Sequence, residues 1–253
     1  MKAPKQIIEV WRQFDEFPME TLTKAWYRDQ PAATKQRSVQ LMKEHRELYG
    51  TSGNCFDLAI WLVHEFAEAG IEAYGVGRDL FTSDAHVAVI ALHHGYKYYC
   101  DLGDMWVQPI LIDPRSSDFT DELLDSFFPA ARVRVRTNED QFTIEYVRPN
   151  GKKSSQTFDM NLLPHDVLQD AGEHCQHILW SPLVERRIFI ENEVQHWEFD
   201  EDRSFLSTNA GLIEEEPLER IEDWAERIHH RTGMSKEIVQ KSLEAYAEIR
   251  NGR

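Results

Sequence analysis

Apolar positions recur along this chain with two different periods, and the change from one to the other divides it. Ile7, Ile8, Trp11 and Phe14 fall at helical spacing, and a second helical segment runs over about 35–49 with Val39, Leu41 and Leu48 among its apolar positions. Gly50 and Gly53 interrupt that pattern. A further helix is predicted over about 55–69, with Asn54 as its N-cap, Asp57 three residues on, and Gly70 as its stop. Phe56, Leu58, Ile60, Trp61, Leu62, Val63 and Phe66 make it apolar around most of its circumference, which places it inside the fold.

From Ile71 the period drops to two. Residues 72–78 read as a strand, and HVAVIAL (86–92) and KYYCDL (97–102) read as a hairpin across HHGY. RVRVR (132–136), FTIEYV (142–147) and SSQTFDM (154–160) follow, joined by turns at 138–140 and 149–151. After a helical or irregular stretch near 165–179, strands are expected at 185–192 and 194–199. Two helices, about 217–231 and 235–250, close the chain, with Gly233 between them and Ser235 capping the second.

Helices first, antiparallel strands next and helices last describe an α+β protein. The expected layout is an N-terminal helical segment (1–80), a central antiparallel β-barrel or sheet (81–164), and C-terminal strands and helices forming a lid-like part (165–253). A doubly wound parallel sheet is disfavoured, because the strands follow one another without intervening helices.

Composition narrows the function classes. The 253 residues are 42% hydrophobic and 28% charged, ordinary for a globular protein. A net charge of −16 repels phosphate backbones, so no nucleic-acid partner is expected. Residues 191–226 carry 13 acidic against 2 basic side chains and read as a solvated face. No apolar run reaches membrane length, and no membrane partner is expected. Three cysteines (Cys55, Cys100, Cys175) are too few and too odd for a disulfide framework, and a reducing cytoplasm fits them best.

One of the three has chemical company. Cys55 opens the buried helix, where unpaired backbone N–H groups and the helix dipole favour a thiolate and could steady an oxyanion. If the hairpin turns on His94 and Gly95, Ala88 lies opposite Asp101, and His86 and Asp101 share a face as diagonal neighbours. Asp101 could then orient the His86 ring and leave its other nitrogen to Cys55. The plain alternatives are a small buried cysteine and a structural histidine–aspartate pair.

Those residues carry a resemblance. TSGNCFDLA (51–59) resembles the nucleophile motif R-G-G-x-C-F-E of the arylamine N-acetyltransferases, HVAVIAL (86–92) resembles the strand headed by the family's histidine, and DLGDM (101–105) followed by QPILI (108–112) resembles its D-V-G-F-G segment. SPLVERRIFI (181–190) sits where the family has a Ser-Pro motif. The chain departs from the pattern at Thr51, Ser52, Asp57 and Asp104, the last standing where the family has a phenylalanine of the acceptor pocket. The resemblance implies a helical bundle, a β-barrel and a lid in sequence, with Cys55, His86 and Asp101 as catalytic triad. It also implies a ping-pong acyl transfer from acetyl-CoA to a small-molecule amine through a cysteine thioester. Two other readings stay open: a papain-like or transglutaminase-like amide chemistry on the same residue order, and a non-catalytic protein retaining the fold.

Other signals carry less. His174, Cys175 and His177 have no second ligand cluster nearby in sequence, so no metal is expected there. Trp61, Trp106, Trp180, Trp197 and Trp224 read as core anchors, with Trp106 also close enough to Asp101 to line a cavity. Arg186–Arg187 fits either a phosphate contact or a strand with alternating exposure.

Overall fold

The computed structural model describes residues 1–252. Its helices are α1 (Lys5–Trp11), α2 (Leu22–Arg28), α3 (Val39–Tyr49), α4 (Cys55–Glu68), α5 (His165–Gln176), α6 (Ile221–Thr232) and α7 (Lys236–Asn251). Its strands are β1 (Met19–Glu20), β2 (Ala73–Arg78), β3 (His86–His93), β4 (Tyr96–Cys100), β5 (Ile110–Leu111), β6 (Leu124–Phe128), β7 (Ala131–Thr137), β8 (Gln141–Val147), β9 (Lys153–Asp159), β10 (Leu183–Ile190), β11 (Glu193–Asp200), β12 (Arg203–Thr208) and β13 (Gly211–Glu214). The α+β class and the order helices, antiparallel strands, helices are as the sequence predicts.

The strands form three antiparallel sheets, in the orders β2-β3-β4-β5, β6-β7-β8-β9 and β1-β10-β11-β12-β13. The barrel expected over 81–164 is not formed: among the described residues no sheet closes on itself. β2 lies beside β9, but the backbone bridge there joins Gly75 to Leu163, past the end of β9. β5 has only two residues, and a segment without regular structure separates it from β6, so no continuous ladder runs between the two sheets. They are joined through side chains instead: Tyr99 packs edge-on against Phe142, and Phe142 stacks on Phe158.

Helix α4 is the centre of the larger core, as its apolar circumference predicts, with Phe56, Leu58, Leu62 and Phe66 fully buried. Asn54 and Asp57 form a complete capping box at its start. Gly70 follows its end with φ of 70°, a left-handed conformation that costs glycine little. The smaller core joins α2, α6 and α7 to the third sheet through Leu22, Trp197, Phe199 and Trp224.

Three local expectations are corrected. Part of the acidic stretch 191–226 is not a bare solvated face but carries β12 and β13, an edge hairpin whose polar alternation hides it in the sequence. Trp180 is 65% exposed and anchors no core. Arg187 is buried and donates to the backbone carbonyls of Trp106 and Phe14, so it is neither a surface residue nor free for a phosphate.

Candidate active site

Cys55 is the first residue of α4, and the loop before it is held from three sides. From β1, the buried Glu20 carboxylate accepts the amides of Ser52 and Gly53, at 3.2 and 2.7 Å, while Gly53 returns its carbonyl to the Glu20 amide at 2.9 Å. From the segment before α3, the buried Arg37 donates to the Ser52 carbonyl at 3.2 Å and pairs with Asp57 at 3.5 Å. Asp57 also accepts Gln36 at 3.0 Å and Gln176 at 3.1 Å. Gly53 itself has φ of 103°, and a Cβ there would lie 2.2 Å from an Asp57 carboxylate oxygen. The sequence reading missed Glu20, Gln36, Arg37 and Gln176, because nothing local marks a partner 15 to 119 positions away. A guanidinium therefore reaches the loop from Arg37, although the resembled motif's arginine position is Thr51 here.

The cap changes one expectation about the first turn. Asn54 Oδ1 takes the Phe56 amide at 2.8 Å and the Asp57 amide at 3.3 Å, so these two are not free to bind an oxyanion. The Cys55 amide is the first-turn donor not drawn into the cap. The Asn54 side-chain nitrogen Nδ2 is buried with no hydrogen-bond partner, while its backbone N–H donates to Asp57.

His86 opens β3 and Asp101 directly follows β4. The hairpin turns on His94 and Gly95, both with positive φ, as a two-residue turn demands. The ladder pairs Val89 with Cys100, so its next step sets Ala88 opposite Asp101. His86 Nε2 and Asp101 Oδ2 are 2.8 Å apart. Asp101 is fully buried and accepts two further bonds, from the Tyr99 hydroxyl at 2.6 Å and the Asp104 amide at 2.9 Å. Such a buried carboxylate has its oxygens supplied with donors.

Cys55 and His86 meet around Gly103. A Cβ at that glycine would sit 2.5 Å from Cys55 Cβ and 3.1 Å from His86 Cε1, so both side chains border the same point. Burial works against a charge on the imidazole, yet Asp101 and then the Cys55 thiol outweigh it and hold the His86 pKa well above the ordinary histidine value. Cys100 and Cys175 have no such company. Burial pushes both thiols up, and Cys175 is tied to Lys24 Nζ at 3.2 Å.

A second carboxylate stands beside the pair. Asp104 accepts the Tyr146 hydroxyl at 2.7 Å and Gln156 at 3.1 Å, and burial together with the Asp101 charge raises its pKa to about 6. Trp106 is fully buried, packs edge-on against Tyr99, and donates to the Tyr146 oxygen at 3.3 Å. On β10, burial and then the Glu198 charge raise the pKa of Glu185 well above the usual carboxylate value, with smaller influences from Asp104, His86 and Asp101. His174 lies against Phe81 and His177 pairs with Glu173 at 2.9 Å.

No known family pattern and no curated protein matches the sequence. The fold does have relatives among solved structures. The arylamine N-acetyltransferase of M. tuberculosis superposes with a TM-score of 0.71 at 12% identity, over 95% of this chain and 96% of that one. That of Mycobacterium marinum in complex with CoA gives 0.70 at 14% identity, over 97% and 94%. The arylamine N-acetyltransferase NAT3 of Bacillus cereus, described as having a unique Cys-His-Glu catalytic triad, gives 0.65 at 14% identity, over 92% of each chain. At these identities the likeness is one of fold, and the fold of this chain is that of the arylamine N-acetyltransferases.

Proposed function

We propose that this protein is an acyltransferase that carries an acetyl or other short acyl group on Cys55. The observation that carries the reading is the His86–Asp101 bond of 2.8 Å beside the cysteine that opens the buried helix. In this reading His86 Nε2 donates to Asp101, and Nδ1 is the nitrogen left to take the thiol proton. The raised basicity of the ring favours a thiolate–imidazolium pair.

In the first half-reaction the Cys55 sulfur attacks a thioester carbonyl. The oxyanion that forms meets the Cys55 amide and the unpartnered Asn54 side-chain nitrogen, both at the helix start. Collapse expels the donor thiolate, which receives a proton from His86, and leaves the acyl group on sulfur. In the second half-reaction an amine attacks that thioester, His86 removes its proton, and Cys55 departs as thiolate. Acetyl-CoA as donor rests on the fold likeness, one member of which is a CoA complex.

The test is intact-mass spectrometry of the protein mixed with acetyl-CoA. One acetyl group on Cys55, absent in His86→Ala and discharged by a small amine, supports the reading. Acylation by an amide or ester probe without reaction with the thioester would redirect it to amide chemistry. A protein that no acyl donor modifies would leave a non-catalytic member of the fold.

A further inference from the structure

We propose that Glu185, His196 and Glu198, on the face shared by β10 and β11, form a binding site for one divalent transition-metal ion of the zinc class. The pairing register sets Glu185 directly opposite Glu198, and His196 lies two residues before Glu198 on the same face. One ligand atom from each of the three, two carboxylate oxygens and an imidazole nitrogen, falls within 4.8 Å of the others.

Two carboxyl groups facing each other across a ladder need a proton or a cation between them. No lysine or arginine of the described residues is in contact with either glutamate to supply one. Among the described residues neither glutamate forms an ion pair with lysine or arginine, and the sole ion-pair contact of either is Glu185 with His196, at 3.6 Å. The nearby arginines are committed elsewhere: Arg187 to the carbonyls of Trp106 and Phe14, Arg203 to Asp200, Arg148 to Ser154. The His196 Nε2 atom is buried and has no hydrogen-bond partner. A buried nitrogen without a partner, set against two carboxyl groups that no lysine or arginine pairs, is what a metal-ligand set looks like before the metal binds.

The chemistry of the three ligands selects the ion. Two oxygens and an imidazole suit zinc, cobalt, manganese or iron(II) better than calcium or magnesium, which prefer oxygen alone. Three protein ligands leave at least one coordination position open. The glutamate and histidine side chains keep 16% and 12% of their surface exposed, so an ion can reach them. Sequence spacing does not reveal this set, because Glu185 and Glu198 are brought together only by strand pairing. The site is independent of the acyl-transfer reading and is tested without any activity.

The experiment titrates Zn²⁺ into the chelator-treated full chain by calorimetry and follows Co²⁺ by its visible absorption. The expected result is one ion per chain, weakened about tenfold or more in His196→Ala and in Glu198→Gln, and unchanged in Cys55→Ala. Far-UV circular dichroism checks that each variant keeps its fold, and Glu185→Gln provides a second ligand variant if either of the others does not. Saturable binding that survives His196→Ala, binding lost in Cys55→Ala, or no saturable binding at all would each overturn the proposal.

Discussion

Asp101 holds His86 by its Nε2 atom, 2.8 Å away, while the Tyr99 hydroxyl takes up the same carboxylate oxygen at 2.6 Å. The aspartate thus fixes both the position and the tautomer of the ring. Asp101→Asn keeps the size but offers the ring a neutral partner. On the proposed acyl-transfer reading, we expect the rate to fall by about a thousandfold or more with the fold intact, as in triads that lose their orienting carboxylate. Steady-state kinetics with circular dichroism on the same sample checks it.

Gly103 borders both Cys55 and His86. A methyl group there would press to 2.5 Å on Cys55 Cβ and 3.0 Å on its Cα, atoms of the helix start that cannot swing aside. Gly103→Ala is expected to lower stability by about 1–3 kcal/mol and to cut the Cys55 acylation rate by more than the stability loss explains. Denaturant melts and single-turnover acylation separate the two effects.

Glu20 acts on the nucleophile loop from a neighbouring strand. Its carboxylate accepts the amides of Ser52, Gly53 and Thr23, so an amide side chain would turn donors toward donors. Glu20→Gln should destabilise the protein by roughly 1–3 kcal/mol and slow Cys55 modification, whereas Glu16→Gln on the exposed side should do neither. Urea unfolding monitored by tryptophan fluorescence gives the first number.

Asp104 gives the site a pH dependence of known sign. Its folded pKa, about 6, lies above the ordinary value of 3.8, so its ionised form is disfavoured in the fold. The resulting cost is absent below about pH 4, grows through the interval between the two values and is complete above about pH 6. Asp104→Asn keeps an acceptor for Tyr146 and Gln156. It should therefore be more stable than the parent at pH 7.5, on the order of 1–3 kcal/mol, with the gap closing by pH 4. Thermal melts across that range test it. His86 acts in the same direction: a raised folded pKa contributes stability below about pH 6.5 that is lost as pH climbs through the folded value.

What the sequence disclosed is what local pattern controls. Asn54 and Asp57 announce the start of α4, and the two-residue turn at His94–Gly95 fixes the register that brings His86 to Asp101. Long-range partners left no such trace. Glu20 and Arg37 reach the nucleophile loop from elements whose own patterns say nothing of it. The Glu185–Glu198 juxtaposition exists only once β10 pairs with β11. β12 and β13 were hidden because Phe205 and Ser207 share one face of β12 and Leu206 and Thr208 the other, so neither face reads as apolar. The barrel failed for a reason of closure, which the period of individual strands does not encode.

The central claim is that His86 takes the proton of Cys55, and the rate of Cys55 alkylation at pH 7 tests it most directly. Parent protein and His86→Ala are treated with iodoacetamide, and modification of each cysteine is counted by peptide mass spectrometry. The account predicts Cys55 alkylation at least about tenfold faster in the parent, with Cys100 and Cys175 unmodified in both while the fold persists. Equal rates in the two proteins would contradict it.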